Sequence, residues 1–512
     1  MTPPEHQPEA RTAGAAFRLF ALLLILIAGT AVFFPALDFD FVNWDDPSQI
    51  LNNPLVRDLS PAGLTRIFTS RVVRQYHPLV TLSFALEYRL FRDNPIPYHL
   101  HNLFLHLLNG GLLFALAYRL SGRRLLPAFL AGLFFTVHPL QSGAVVWISG
   151  RKDLLSAAFF LSSLLAYQKH LEEKSRGPLI LSLVLGGLAL LAKATTAVLP
   201  LVLLLADWRA GRKLSPRLLL EKLPLFLAAG VIAALSLFWQ LAPEAGIRGH
   251  YGWEFGNILR AGKTIFFYLK AALFPLSLSP LYPAAAGLPA GSGPLAGAIL
   301  LALVPLAFFT DIFRGEGGRT RLFGALFFLL CLLPVSRLVP FGGTEEVALR
   351  FMYLPLAGLA LFAGGGLDAW FPRERFRTAT IVAALAAAVF FGGLTRQVIG
   401  FWRDGEAFWS GVIEGYPEFD LAHHQLGSYY FSRRDYPAAI TRTERAIELN
   451  PEIAYSYVIK GLAHRELGET GEARQSLSDA RRILEEMGRT AEALRVSAYL
   501  REMPDSDTPD DE

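Results

Sequence analysis

Two adjacent carboxylates, Asp45 and Asp46, close the run Phe41-Val42-Asn43-Trp44-Asp45-Asp46, just beyond the first apolar segment of the chain. Neighbouring carboxylates repel, which suits one of them to accept a proton, the work of a general base. Taken alone, such a pair more often caps a helix or sits solvated in a loop. Here Phe41 and Trp44 are expected to pin it at membrane level. Three cationic positions accompany it: Arg151-Lys152, between Trp147 and Asp153; Lys193, in the short turn 192–196; and Arg350, with Glu345 and Glu346 upstream and Tyr353 one turn later. A single charge at a membrane boundary usually acts as an anchor. Three on one side point instead to an anionic group at headgroup level, a lipid-linked phosphate or pyrophosphate. His77 and His138 each precede a proline at a loop–helix junction and are candidates to line the same site. His101 and His106 are five residues apart and so fall on different faces of a helix; His106 reads as buried packing. The adjacent aspartates are one conceivable seat for Mn²⁺ or Mg²⁺, although no DxD or HExxH spacing supports a metal. No Walker loop, GxSxG or Rossmann fingerprint is present.

The elements that must position these groups follow from composition. Of 512 residues only 18% are charged, against roughly 25% in soluble domains, and the mean hydropathy is +0.36. Residues 1–400 hold 35 basic and 22 acidic residues, net +13; residues 401–512 hold 13 and 22, net −9. The first part is too apolar to clothe a water-facing surface, so its solvent is lipid. The second reads as a water-soluble appendage. No basic array with interleaved aromatics suggests nucleic acid, and Cys331, the one cysteine, excludes disulfide frameworks and cysteine-based zinc sites.

Apolar segments lie near 17–37, 102–120, 125–139, 153–168, 179–192, 195–208, 223–241, 294–310, 321–339, 351–371 and 379–399. Loops rich in Arg and Lys alternate with them at 119–124, 169–176, 209–217, 314–321 and 373–377, as the positive-inside rule requires of cytoplasmic loops. The pattern predicts about eleven transmembrane helices, with 1–16 cytoplasmic and 38–101 a large outer loop. Segment 262–280, with Lys263, Lys270 and Pro275, is expected to be interfacial or re-entrant; as a twelfth crossing it would invert everything downstream. An odd count sends the C-terminal part to the face that carries Asp45.

Within 420–451, Leu426-Gly427, Tyr430, Ala439, Ala446 and Pro451 match the tetratricopeptide pattern of small and aromatic contact residues. A shift of 34 residues gives Gly461, Ala473 and Ala480, a weaker second copy. The expectation is a helical-repeat domain over 401–503, with 488–501 as capping helix and 504–512 a disordered acidic tail. Two repeats are short for a free-standing solenoid. A groove of this kind binds peptide or protein; a dimerisation surface is the alternative.

The order of these features resembles a family. Asn43-Trp44-Asp45-Asp46, the stretch Leu79-Val80-Thr81-Leu82-Ser83, His99 with Asn102 and His106, and His138-Pro139-Leu140 before Trp147 and Arg151-Lys152-Asp153 come in its sequence. So do Tyr282-Pro283, Arg350 with Tyr353-Leu354-Pro355, and Trp402-Arg403-Asp404 leading into the repeats. The chain is similar to the membrane–tetratricopeptide O-mannosyltransferase-like proteins of the glycosyltransferase C superfamily. Leu349 departs from the acidic residue common before the arginine, and His77 stands where arginine is more usual. The resemblance implies an all-α polytopic bundle with a C-terminal repeat module, in a bacterial cytoplasmic membrane. It also implies a polyprenyl-phosphate sugar donor, with mannose a candidate sugar, a protein Ser or Thr hydroxyl as acceptor, and the acidic pair as catalytic site. Joined to the residues, the expectation is an inverting transferase with Asp45 as base, Asp46 its partner, and Arg151, Lys152, Arg350 and Lys193 on the donor phosphate. A non-catalytic membrane scaffold for envelope proteins is the alternative. A lipid-linked-sugar transporter would need more charges deep within its spans.

Overall fold

The computed structural model describes residues 8–241, 255–287, 315–338, 345–370 and 374–503. The chain is a helical, multi-pass membrane protein with two compact units, one of Met1–Phe39 and Asp45–Gly400, the other of Asp40–Trp44 and Phe401–Glu512.

The first unit runs through α1 (Pro8–Phe33), α2 (Pro61–Thr69), α3 (Pro78–Phe91), α4 (Pro95–Leu120), α5 (Leu125–Val137), α6 (Ser142–Val145) and α7 (Arg151–Glu173). It continues with α8 (Arg176–Ala192), α9 (Leu199–Arg209), α10 (Pro216–Leu241), α11 (Phe255–Leu273), α12 (Gly315–Leu332), α13 (Tyr353–Trp370) and α14 (Glu374–Ile399). Prolines open α2, α3 and α4, where a missing N–H costs nothing, and the side chains of Ser60 and Asn94 accept from the first-turn amides of α2 and α4. Ten of the eleven expected segments coincide with helices; 294–310 lies outside the described residues. Among the described residues, five helical stretches are long and apolar enough to cross a membrane: Gly14–Asp38, Pro95–Leu120, Pro216–Trp239, Gly317–Val335 and Thr378–Trp402. Helix α11, over the segment expected to be interfacial, is not among them.

The segment expected to span 125–139 is different. Helix α5 stops at Val137, and Leu125–Val137 and Pro139–Val145 form a pair bent by 53°. The cause is local: His138 precedes a proline and takes an extended conformation, which ends the helix. The chain stays buried from His138 through Asp153, so α7 begins inside the protein with three charged residues.

Close helix packing relies on small residues. A Cβ on Gly324 of α12 would lie 2.6 Å from the backbone nitrogen of Phe362, and one on Gly358 of α13 would lie 2.5 Å from that of Phe328. Helix α4 turns His99, Asn102, His106 and Asn109, one face by helical spacing, into the bundle. Asn102 Nδ2 donates to the Trp147 carbonyl (3.0 Å) and Asn109 Nδ2 to the Leu154 carbonyl (2.9 Å). These bonds tie α4 to the bent segment and to the start of α7. Two short antiparallel strands, β1 (Tyr282–Pro283) and β2 (Glu345–Val347), pair Tyr282 with Val347.

The second unit holds α15 (Gly405–Gly415), α16 (Asp420–Ser432), α17 (Tyr436–Leu449), α18 (Ala454–Glu466), α19 (Thr470–Glu486) and α20 (Thr490–Arg501). Its helix contacts repeat at 34 residues. A Cβ on Gly427 would meet Thr443 at 2.7 Å and the Ala439 carbonyl at 3.3 Å; on Gly461 it would meet Leu477 at 2.8 Å and the Ala473 carbonyl at 3.1 Å. Residues Asp40–Trp44 are an integral part of this unit. Asn43 Nδ2 donates to the Gln425 carbonyl (2.8 Å), its Oδ1 accepts from the Trp409 indole (3.0 Å), and the Trp44 ring meets Trp409 edge-on at 5.2 Å. Trp44, expected as a membrane anchor, is a packing residue here, because a tryptophan ring against another ring loses more water-exposed area than one left at an interface.

Candidate active site

The sequence Asp45-Asp46-Pro47 leads into a single wide turn, Pro47–Leu51, and this turn sends the two carboxylates to different fates. Asp46 is fully buried. Its Oδ1 accepts from the Ser149 amide (3.0 Å) and from the Ser149 hydroxyl. It therefore clamps the acidic loop to the bent segment that precedes α7. Asp45 remains partly open, with 19% of its side chain exposed, and its one side-chain partner among the described residues is Lys152 Nζ at 3.5 Å. One carboxylate positions and the other is available.

Successive residues on a helix point about 100° apart. Arg151 and Lys152 at the start of α7 accordingly part company. Lys152 turns to Asp45 and lies over the Trp147 ring (5.3 Å to its centre). Arg350 covers the same tryptophan (5.1 Å) and Phe351 (5.0 Å), while Lys193 lies 5.7 Å from the Phe351 ring. Each cation has a fixed counter-charge. Lys193 is paired with Asp153, and Arg350 forms a two-pronged pair with Glu345, Nη1 to Oε1 at 2.9 Å. Burial pushes the Lys193 ammonium down from its ordinary value, against the pull of Asp153, and Lys152 and Arg350 push it further. Arg350, with Glu345 its strongest favourable partner and Asp153 and Asp45 adding to it, is held firmly charged despite burial. Its Nε is buried with no hydrogen-bond partner among the described residues. A buried donor left unpaired costs about 1–3 kcal/mol, so this N–H is suited to an acceptor atom arriving from a ligand.

His77 also belongs to this group. Its Nε2 lies 3.4 Å from Gln49 Nε2 in the acidic loop, and burial first, then the charge of Lys152, push its pKa down to about 3. It is a neutral imidazole at working pH.

The remaining candidates are placed differently. Arg151 is fully buried, and its guanidinium bonds Asn102, the Glu87 carboxylate at 2.8 and 3.2 Å, the Tyr98 carbonyl and Ser83 or His101. All five of its donors have partners, leaving none for a phosphate. His138 accepts from the Leu140 amide at Nδ1 (3.2 Å), so its Nε2 carries the proton that goes to the Ala272 carbonyl (2.9 Å). It fixes the bend and α11 rather than lining the site. Tyr353 points into the bundle, where its hydroxyl lies 2.9 Å from His106 Nδ1 and accepts from Asn109 Nδ2 (3.0 Å). His106, bonded also to the Thr136 carbonyl, is packing as expected.

Sequence reasoning passed over Glu87, Ser149 and the pairing role of Glu345. Glu87 carried a signal: it is the acidic residue of the largely apolar helix α3, and an ionisable group in that setting needs a named partner. As to metal, no three His, Cys, Asp or Glu side chains converge among the described residues. With Asp46 occupied by Ser149 and Asp45 facing an ammonium, the pair is no chelate and does not fit a divalent ion.

Comparison with known proteins bears on this geometry. Residues 77–239 match the family described as dolichyl-phosphate-mannose-protein mannosyltransferase. The human protein O-mannosyl-transferase TMTC4 is 26% identical over 493 residues, covering 82% of this chain and 65% of its own length. By these matches the chain is similar to the protein O-mannosyl-transferases. The Caenorhabditis elegans protein O-mannosyl-transferase F38B6.6 is 24% identical, covering 79% of this chain and 59% of its own. The chain thus spans about two thirds or less of the length of these relatives. Among solved structures, ArnT from Cupriavidus metallidurans bound to undecaprenyl phosphate aligns over 89% of this chain and 79% of its own, at 17% identity and a TM-score of 0.38.

Proposed function

We propose that the chain transfers a sugar, mannose by analogy with its relatives, from a polyprenyl-phosphate donor to a Ser or Thr hydroxyl of a protein at the outer face of a bacterial cytoplasmic membrane. The observation that carries this reading is the pairing of one available carboxylate, Asp45, with Lys152 beside Arg350 and its unpartnered buried Nε. Asp45 takes the proton of the acceptor hydroxyl. The hydroxyl oxygen attacks the anomeric carbon from the face opposite the phosphate, the carbon–oxygen bond to phosphate breaks, and its electron pair leaves with polyprenyl phosphate. The anomeric configuration inverts. A phosphate is a good leaving group, so the site needs a base and cations rather than a general acid. Arg350, Lys152 and Lys193 are the phosphate contacts in this reading, Asp46 and Ser149 hold the loop, and His77 lines it without charge. The donor set calls for no metal. The repeat unit takes the acceptor segment and raises its local concentration.

The test uses membranes containing the full chain, synthetic polyprenyl-phosphate mannose and a Ser/Thr-rich acceptor peptide. The expected result is a hexose gain on the peptide with inverted linkage, and a raised donor KM in Arg350→Gln. Retained configuration would contradict direct displacement with Asp45 as base, and no donor consumption by the wild-type chain would contradict the proposal as a whole and favour a scaffold.

A further inference from the structure

The side of α1 turned away from the bundle carries a feature that the transfer site does not use. Leu23, Ile27, Thr30 and Phe34 fall at i, i+4, i+7 and i+11, a single stripe on one helical face. With Leu26 and Arg396 of α14 they line a groove of about 450 Å³. The opposite face of α1, with Ala21, Ile25 and Phe33, is buried against the bundle, whereas Leu23, Ile27 and Phe34 are 45–63% exposed. At 1.5 Å per residue the stripe is roughly 16 Å long, about one leaflet of a hydrocarbon core of about 30 Å.

Arg396 lies in the last turn of α14, one turn beyond Gly392. A Cβ on that glycine would come within 3.1 Å of Val32 Cγ2, so the two helices meet there and the arginine stands at the end of the groove. It is exposed and, among the described residues, makes no hydrogen bond, ion pair or ring contact. Its neighbour Thr395 is tied to the Val137 carbonyl (2.7 Å), so this turn of the helix is fixed. An unpaired guanidinium next to a leaflet-long apolar stripe complements one molecule, a lipid with an anionic phosphodiester.

We propose that this groove holds an anionic phospholipid of the bilayer, one acyl chain along the Leu23–Phe34 stripe and the phosphate against Arg396. None of its lining residues belongs to the group around Asp45 and Arg350.

The test is lipid retention on the detergent-purified full chain, read by native mass spectrometry with dioleoyl phosphatidylglycerol and dioleoyl phosphatidylcholine. The wild-type chain should retain phosphatidylglycerol about fivefold more tightly, the equivalent of ~1 kcal/mol for one cation near a headgroup. Arg396→Gln should reduce phosphatidylglycerol to the phosphatidylcholine level. Arg18→Gln, which removes the same charge at the other end of α1, should leave the preference intact. Ile27→Trp should fill the groove and lower retention of both lipids. Equal retention by the wild type, a preference that survives Arg396→Gln, loss with Arg18→Gln as large as with Arg396→Gln, or no effect of Ile27→Trp would each overturn the proposal. So would stronger Arg396-dependent retention of polyprenyl phosphate than of phosphatidylglycerol, which would give the groove to the carrier lipid.

Discussion

Removing the Glu87 carboxylate separates a structural Arg151 from a phosphate-binding one. The Arg151 side chain is 0% exposed and that of Glu87 10%, and two bonds, at 2.8 and 3.2 Å, join them. Breaking such a buried pair from one side leaves an uncompensated charge and costs about 3–5 kcal/mol. For a chain of 512 residues that corresponds to a fall in apparent unfolding temperature of roughly 3–5 °C. Glu87→Gln and Arg151→Met should each show it in detergent, followed by intrinsic fluorescence. The double variant Glu87→Leu/Arg151→Met should recover most of the loss, because apolar residues of similar volume replace a buried pair at little net cost. Single variants that melt like the wild type, with Arg151→Met raising the donor KM instead, would refute the assignment and return Arg151 to the phosphate.

Three further outcomes are expected. His77 titrates near 3 when folded and near 6.5 when unfolded, so between these values the unfolded chain binds the proton first. Stability should therefore fall as pH drops through that window, by on the order of 2 kcal/mol at pH 5, and His77→Asn should flatten this slope in a pH series of melts. Asn43→Ala leaves the Trp409 indole N–H without its acceptor and removes the tie to the Gln425 carbonyl, and should cost about 1–3 kcal/mol, seen as faster proteolysis within 401–503. Treatment with EDTA should leave the transfer rate unchanged, since Asp45 and Asp46 do not form a chelate.

Much of the fold was legible because apolar runs, prolines and basic loops are local signals. The 34-residue spacing of Gly427, Ala439 and Ala446 against Gly461, Ala473 and Ala480 marks the repeat helices in the sequence itself. The bend at His138 was not legible as a bend: a proline marks where a helix must stop, but not whether the chain beyond it leaves the protein or turns back inside. For the site, charges at apolar boundaries drew attention to Asp45, Lys152, Lys193 and Arg350, which the structure gathers around Trp147 and Phe351. Arg151, His138 and Tyr353 looked equivalent in sequence. What distinguishes them is a partner far along the chain, Glu87, the Ala272 carbonyl or His106, and only packing selects that partner. Likewise Asp45 and Asp46 are interchangeable in sequence until Ser149 takes one of them.

Asp45→Asn is the decisive variant, because it keeps the shape of the side chain and removes its capacity to take a proton. With polyprenyl-phosphate mannose and acceptor peptide supplied to matched membranes, donor binding should stay within about twofold of the wild type. Single-turnover transfer should fall by roughly 10²–10⁴, the usual contribution of a general base. Transfer by Asp45→Asn at the wild-type rate, with donor bound normally, would contradict Asp45 as the base.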